Sequence, residues 1–122
     1  MATPSSISKS KLSGSTDGRG IKVVATATLG TTIHTAVAGT TAGTFDEIYL
    51  WAYNGHTADV VLTIEFGGAT VPDDNIVMTI PFKNGLWLVV PGFVLQNAKV
   101  VTAFASVANV ITIQGFINVI TS

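Results

Sequence analysis

The sequence predicts an all-β domain, a single sandwich or barrel of about eight strands behind a polar N-terminal arm. Three observations carry this. From Ile21 onward, Val, Ile and Thr recur in short alternating runs, a period of two that favours strands. Turn clusters separate the runs at even spacing. No run between them repeats with a helical period.

Residues 1–20 show no apolar periodicity, and the stretch SGSTDGRG reads as an extended or turn-rich linker. The expected division is an arm over 1–20 and a sandwich over 21–122. Strands are expected near 21–29, 31–37, 46–54, 59–66, 75–82, 86–91, 99–106 and 110–120. The breaks fall at Gly30, Gly39 to Gly43, Asn54-Gly55, Gly67-Gly68, Asn84-Gly85, Pro91-Gly92 and Asn109. Asn84-Gly85, between IVMTIPF and LWLVV, is the clearest hairpin signal, because both residues tolerate positive φ.

Alternation assigns faces. Val60, Leu62, Ile64 and Phe66 share one face, with Val61, Thr63 and Glu65 on the other. Ile76, Met78, Ile80 and Phe82 share a face. Ile111, Ile113, Ile117 and Val119 point inward, opposite Thr112, Gln114 and Asn118. These are half-buried strands of a sandwich. Two strands are apolar on both faces. One sets Ile48, Leu50 and Ala52 against Tyr49, Trp51 and Tyr53; the other sets Leu86, Leu88 and Val90 against Trp87 and Val89. Tyr49, Trp51, Tyr53 and Trp87 either cap the sandwich ends or line a subunit interface, where Tyr and Trp are enriched. An aromatic sugar-binding platform is a further option.

The charges divide the chain. The first 22 residues hold Lys9, Lys11, Arg19 and Lys22 against Asp17, a net +3. The rest holds Lys83 and Lys99 against Asp46, Glu47, Asp59, Glu65, Asp73 and Asp74, a net −4. Charged residues are 11% of the chain and mean hydropathy is +0.54. A typical soluble domain has about 25% charged residues. So charge-poor a surface predicts a homo-oligomer or a subunit of a larger assembly. The uncharged stretches 23–45 and 100–122 are interrupted by Gly, Thr, Asn and Gln, so neither is expected to span a membrane. The N-terminus lacks the apolar segment of a secretory signal, and export by that route is not expected.

The search for chemistry returns little. There is no cysteine, which excludes disulfides and thiolate metal sites. His34 lies mid-strand and His56 beside a turn, and no motif fixes either against a serine and a carboxylate as a triad requires. Asp73 and Asp74 could contribute to a calcium site, but a Pro-Asp-Asp-Asn turn explains them equally. No glycine pattern of a nucleotide-binding loop is present. No enzyme activity, cofactor or metal is expected. The basic arm supports no more than weak, salt-sensitive contact with nucleic acid; docking on an acidic protein surface is the sharper reading.

From Ser8 to Thr121 the chain resembles the small capsid decoration, or cement, proteins of tailed bacteriophages. The segments that carry this are SKSKLSGSTDGRGIKVVATATLGTTIHTAV, DEIYLWAYN, LTIEFGG, VPDDNI, LVVPGFVLQN and GFINVIT. The resemblance implies a β-sandwich of jelly-roll type, commonly a trimer, that sits on the outside of an icosahedral head and reinforces it after expansion. It implies the major capsid protein as partner and the virion surface as location, with assembly in the host cytoplasm. It supplies no active-site residues. Lys9, Lys11, Arg19 and Lys22 are then expected to bind the capsid, and Tyr49, Trp51, Tyr53 and Trp87 to line the oligomer interface. A head fibre, neck or tail-surface subunit would share these features.

Overall fold

A computed structural model describes residues 6–122. Nine strands form: β1 (Ser6–Lys11), β2 (Ile21–Lys22), β3 (Thr31–Thr35), β4 (Phe45–Asn54), β5 (Val60–Phe66), β6 (Asn75–Ile80), β7 (Trp87–Leu95), β8 (Val100–Ala105) and β9 (Ile111–Thr121). No helix occurs among the described residues, and so none is long and apolar enough to cross a membrane.

The strands make two antiparallel sheets. The first runs β1-β9-β4-β7, with β2 also on β9; the second runs β3-β8-β5-β6. β1 and β2 lie along different stretches of β9, at Phe116–Thr121 and at Thr112–Ile113, so they act as two halves of one row. Counted this way there are eight rows. From β2 onward every connection crosses between sheets except the β5–β6 hairpin. That winding is a jelly roll.

Period-two burial builds the core. β4 buries every second residue along its length, and Ile48, Leu50 and Ala52 face Leu62, Ile64, Val101 and Ala103 of the second sheet across one hydrophobic cluster. Ile111, Ile113 and Ile117 of β9 complete it, as their alternation requires.

Four local expectations change. The described part of the basic arm does not stand clear of the body. Ser6–Lys11 pair with β9 over six residues, and Leu12 is buried in the core. Removal of residues 2–20 would therefore uncover a long edge of β9 and take a core side chain with it. Residues 1–5 lie outside the described residues. Next, the stretch 21–29 is a strand only at Ile21–Lys22. Val23 still bonds the first sheet, through Ile111, but Ala25 already accepts from Ala105 of the second. A segment crossing between sheets cannot keep to one ladder.

Asn84-Gly85 does not close a hairpin. Gly85 has positive φ, as does Lys83, but the turn carries the chain from β6 in one sheet to β7 in the other. Finally, β7 does not alternate as a simple strand. Its register against β4 shifts twice, once on each side of the Tyr49–Leu50 pair. Val89 and Val90 are consequently both buried, while Leu86 and Leu88 are exposed. Bulges place two residues against one, which resets the faces.

Candidate functional site

Residues directly opposite one another in an antiparallel ladder share a face. On the outer face of the first sheet, β4 presents Glu47, Tyr49, Trp51 and Tyr53, alternate to its buried residues. β9 sets Asn118, Phe116, Gln114 and Thr112 against them in that order. β1 then adds Lys9 beside Asn118 and Lys11 beside Phe116, and β2 adds Lys22 beside Thr112. The lysines and the tyrosine–tryptophan set, expected as two separate sites, thus occupy one continuous surface. Arg19 is on none of these strands; it lies in the exposed turn that Ser15 holds by donating Oγ–H to the Arg19 carbonyl (2.6 Å).

Trp87 does not join the group. Its ladder partner is Ala52, an inward residue, whereas Leu88 pairs with the outward Trp51. Phe116, which the sequence reading passed over, is the centre of the surface. Its ring lies 5.0 Å from Tyr49 at 21° and 6.0 Å from Trp51 at 26°, and Tyr49 and Trp51 are 6.4 Å apart at 20°. The Lys9 ammonium stands 4.3 Å from the Phe116 centroid, within cation–π range. The signal for Phe116 was its place in the alternation, two residues from Gln114 and Asn118.

The rings are ordered by what surrounds them. Tyr49 donates its hydroxyl to Glu47 (3.0 Å), and Asn118 donates to the same carboxylate oxygen (3.0 Å). The bond to Glu47, with burial and the nearby negative charge, raises the Tyr49 phenol above its ordinary value of 10.0. Gly92, at φ +101°, passes beneath this ring. A Cβ there would come within 2.9 Å of Tyr49 Cζ.

Planes nearly parallel at 5.0 Å require an offset stack. Tyr49 and Phe116 therefore overlap only in part, and Lys9 sits over the Phe116 ring of this shelf. What it offers is a flat, rigid, half-buried surface with three lysines against one glutamate, suited to contact with another macromolecule.

His34 does meet a serine and a carboxylate. It is 3% exposed, and its Nε2 lies 2.7 Å from Asp46 Oδ2. Yet Nδ1 accepts the Ser13 backbone N–H (2.9 Å), which places the ring proton on Nε2, donated to Asp46. Ser13 Oγ accepts from Thr35 N–H (2.8 Å) and does not point at the imidazole. A triad needs the base to receive the serine proton. Here the imidazole's only lone pair is engaged by backbone, so the cluster is a buried brace between the β1–β2 loop, β3 and β4. His56 is half-buried at the β4–β5 corner, where its N–H bonds Asn54 Oδ1 (2.8 Å).

Asp74 Oδ2 accepts the Thr70 N–H (3.0 Å), the local turn expected of it. Among the described residues no three potential ligands converge on a metal position. A shallow cleft of about 410 Å³ opens among Phe45, Val94, Leu95 and Lys99. No family model, curated protein or solved structure matches this chain.

Proposed function

We propose that this protein is a non-enzymatic structural component of a tailed-phage virion. It binds the outside of the capsid as a homo-oligomer, with the major capsid protein as partner, and stabilises the shell. The observation that carries this is the outer face of the first sheet. Lys9, Lys11 and Lys22 line one margin of it beside the stacked rings of Tyr49, Trp51 and Phe116. The opposite margin, toward β7, is apolar, with Leu88 and Val94 exposed. A basic margin suits an acidic shell, and charges of this kind steer the encounter and set register more than they add affinity.

Such a protein needs rigidity rather than reactivity. A partner that binds the expanded shell and not its precursor stabilises the former by mass action. Weak contacts repeated around an oligomer add through effective concentration. The resemblance of the sequence to decoration proteins supports the same reading, including a trimer and a place on the head surface.

The test is to purify virions from the source phage, analyse their proteins, and image the heads by electron cryomicroscopy. The expected result is the chain in the head fraction, as density on the outer surface. Its absence from purified virions would overturn the reading.

A further inference from the structure

We infer that Asn84-Gly85 is a site of self-modification: the Gly85 nitrogen displaces ammonia from the Asn84 side chain, and hydrolysis leaves aspartate or isoaspartate in the loop between β6 and β7.

The reaction needs an asparagine whose following backbone nitrogen can swing onto its own Cγ. Glycine suits that second position best, since it has no Cβ to obstruct the approach and the freest backbone. The chain holds two such pairs, Asn54-Gly55 and Asn84-Gly85. The fold treats them oppositely.

Asn54 is fully buried, and every group the reaction uses is occupied. Its Nδ2 donates to the carbonyls of Ala58 (3.0 Å) and Ile80 (2.8 Å), and its Oδ1 accepts the His56 N–H (2.8 Å). The attacking nitrogen is held as well, since the Gly55 N–H donates to the Val110 carbonyl (2.9 Å). Asn84 is exposed, and among the described residues neither its side chain nor the Gly85 N–H makes a hydrogen bond. Gly85 stands at φ +76°, with nothing within 4 Å of where a Cβ would be. The anchors of the loop stop short of the pair. Lys83 N–H bonds the Asn54 carbonyl (2.7 Å) before it, and β7 begins at Trp87 after it.

The other asparagines are hindered in other ways. Asn75, Asn109 and Asn118 precede Ile76, Val110 and Val119, whose branched Cβ atoms crowd the nitrogen. Asn97 precedes Ala98, whose N–H is bound to the Val37 carbonyl (3.0 Å).

The step balances without a cofactor. Base removes the Gly85 amide proton, the nitrogen bonds to Asn84 Cγ, and Nδ2 leaves as ammonia with a proton from solvent. Water then opens the succinimide ring. Cleavage at the Cγ–N bond gives aspartate. Cleavage at the bond from the Asn84 main-chain carbon to nitrogen gives isoaspartate, with the chain running through Cγ. A neutral amide becomes a carboxylate beside Lys83, and one further negative charge takes the net charge from −1 to −2.

The experiment is to age the full chain in mildly alkaline buffer and follow each asparagine by peptide mapping and mass spectrometry, against an unaged sample. Circular dichroism confirms that the fold persists. Asn84 should show the mass change of amide to acid while Asn54 stays intact. Freeing Asn54 means breaking four hydrogen bonds, so its conversion should be about a hundredfold slower or more. Isomerisation at Asp17-Gly18 leaves mass unchanged and does not confuse the reading. Unfolded in urea, the two Asn-Gly pairs should convert at similar rates. Asn84→Gln should stay unmodified, because its longer side chain closes a larger ring more slowly. An Asn84 that stays intact in the native protein, over a time in which the unfolded chain converts, overturns the inference. So does a native Asn54 that converts as fast as Asn84. A gap between the pairs that persists in urea overturns it too, since the difference would then lie in sequence and not in the fold.

Discussion

Two buried polar side chains show how much a single residue can hold. Glu65 belongs by alternation to the outer face of the second sheet, yet it is 1% exposed because the segment before β3 covers it. Burial pushes its carboxyl up. Hydrogen bonds from Thr102 Oγ1 (2.6 Å), Thr28 Oγ1 (2.8 Å) and Gly30 N–H (2.8 Å) outweigh this and hold it below its ordinary 4.5. A carboxyl whose folded value is depressed stabilises fully above its unfolded value and loses that contribution as pH falls through the folded one. Glu65→Gln keeps the shape, since its amide can donate to Thr28, and should cost about 1 kcal/mol at neutral pH. In urea titrations from pH 7 to pH 3, the gap between wild type and Gln should close on the acid side; parallel profiles would sink this account. At His34 the prediction is an order. His34→Ala leaves the buried Asp46 carboxylate with the Val37 N–H (3.2 Å) alone, which should cost about 3 kcal/mol or more, since an under-satisfied charged group costs more than a neutral one. Asp46→Ala leaves a neutral imidazole with one unmet N–H and should cost about 1–3 kcal/mol. Denaturation midpoints showing Asp46→Ala as the worse of the two would refute the charge argument. Neither partnership was legible in the sequence. Alternation tells which face Glu65 points to, but not that residues 28–30 fold over it.

At the scale of elements, alternation located most strands and failed wherever the chain changes sheet. Ile111 to Val119 behaves as its pattern requires, and Val60 to Phe66 does so on its inward face, because each stays within one sheet; on the other face of β5, Thr63 and Glu65 are buried as well. Asn84-Gly85 misled because a turn between sheets draws on the same positive-φ residues as a hairpin within one. β1 was missed for another reason. SISKSK alternates strictly, but its outward residues are Ile7, Lys9 and Lys11 and its other face is serine, so apolar periodicity does not find it. The pattern suits an edge strand, where lysines deter unwanted pairing. The tightest approach in the first sheet lies at Gly115, opposite Leu50 on β4. A Cβ there would collide with the Tyr49 carbonyl oxygen, which is backbone and cannot swing aside. Gly115→Ala should therefore cost about 1–3 kcal/mol as overpacking and disturb the rings of Tyr49 and Phe116 above it. Near-ultraviolet circular dichroism and a urea midpoint measure both effects. An alanine variant as stable as wild type, with an unchanged aromatic spectrum, would show that the two strands have room to part.

The whole molecule carries its charge as a gradient across one sheet, and this yields the last prediction. Lys9 and Lys11 are cross-strand neighbours of Asn118 and Phe116, exposed, and two residues apart on one face. Their reversal to glutamate, Lys9→Glu with Lys11→Glu, changes the margin of the docking face by four charges without touching the core. Fold stability should fall by about 1 kcal/mol or less, the worth of the exposed cation–π contact that Lys9 makes with Phe116. Binding to virion heads should fall steeply, because like charges now meet across the interface. Its loss should appear first in the association rate, where steering acts. The wild type should bind more weakly as salt rises and the Debye length shrinks from about 10 Å at 0.1 M toward 3 Å at 1 M. The double variant should show a flat or inverted salt profile. Cosedimentation with heads stripped of the chain, at low and high salt, separates the cases. Equal binding by wild type and the double variant at low salt would mean that the basic margin does not face the shell.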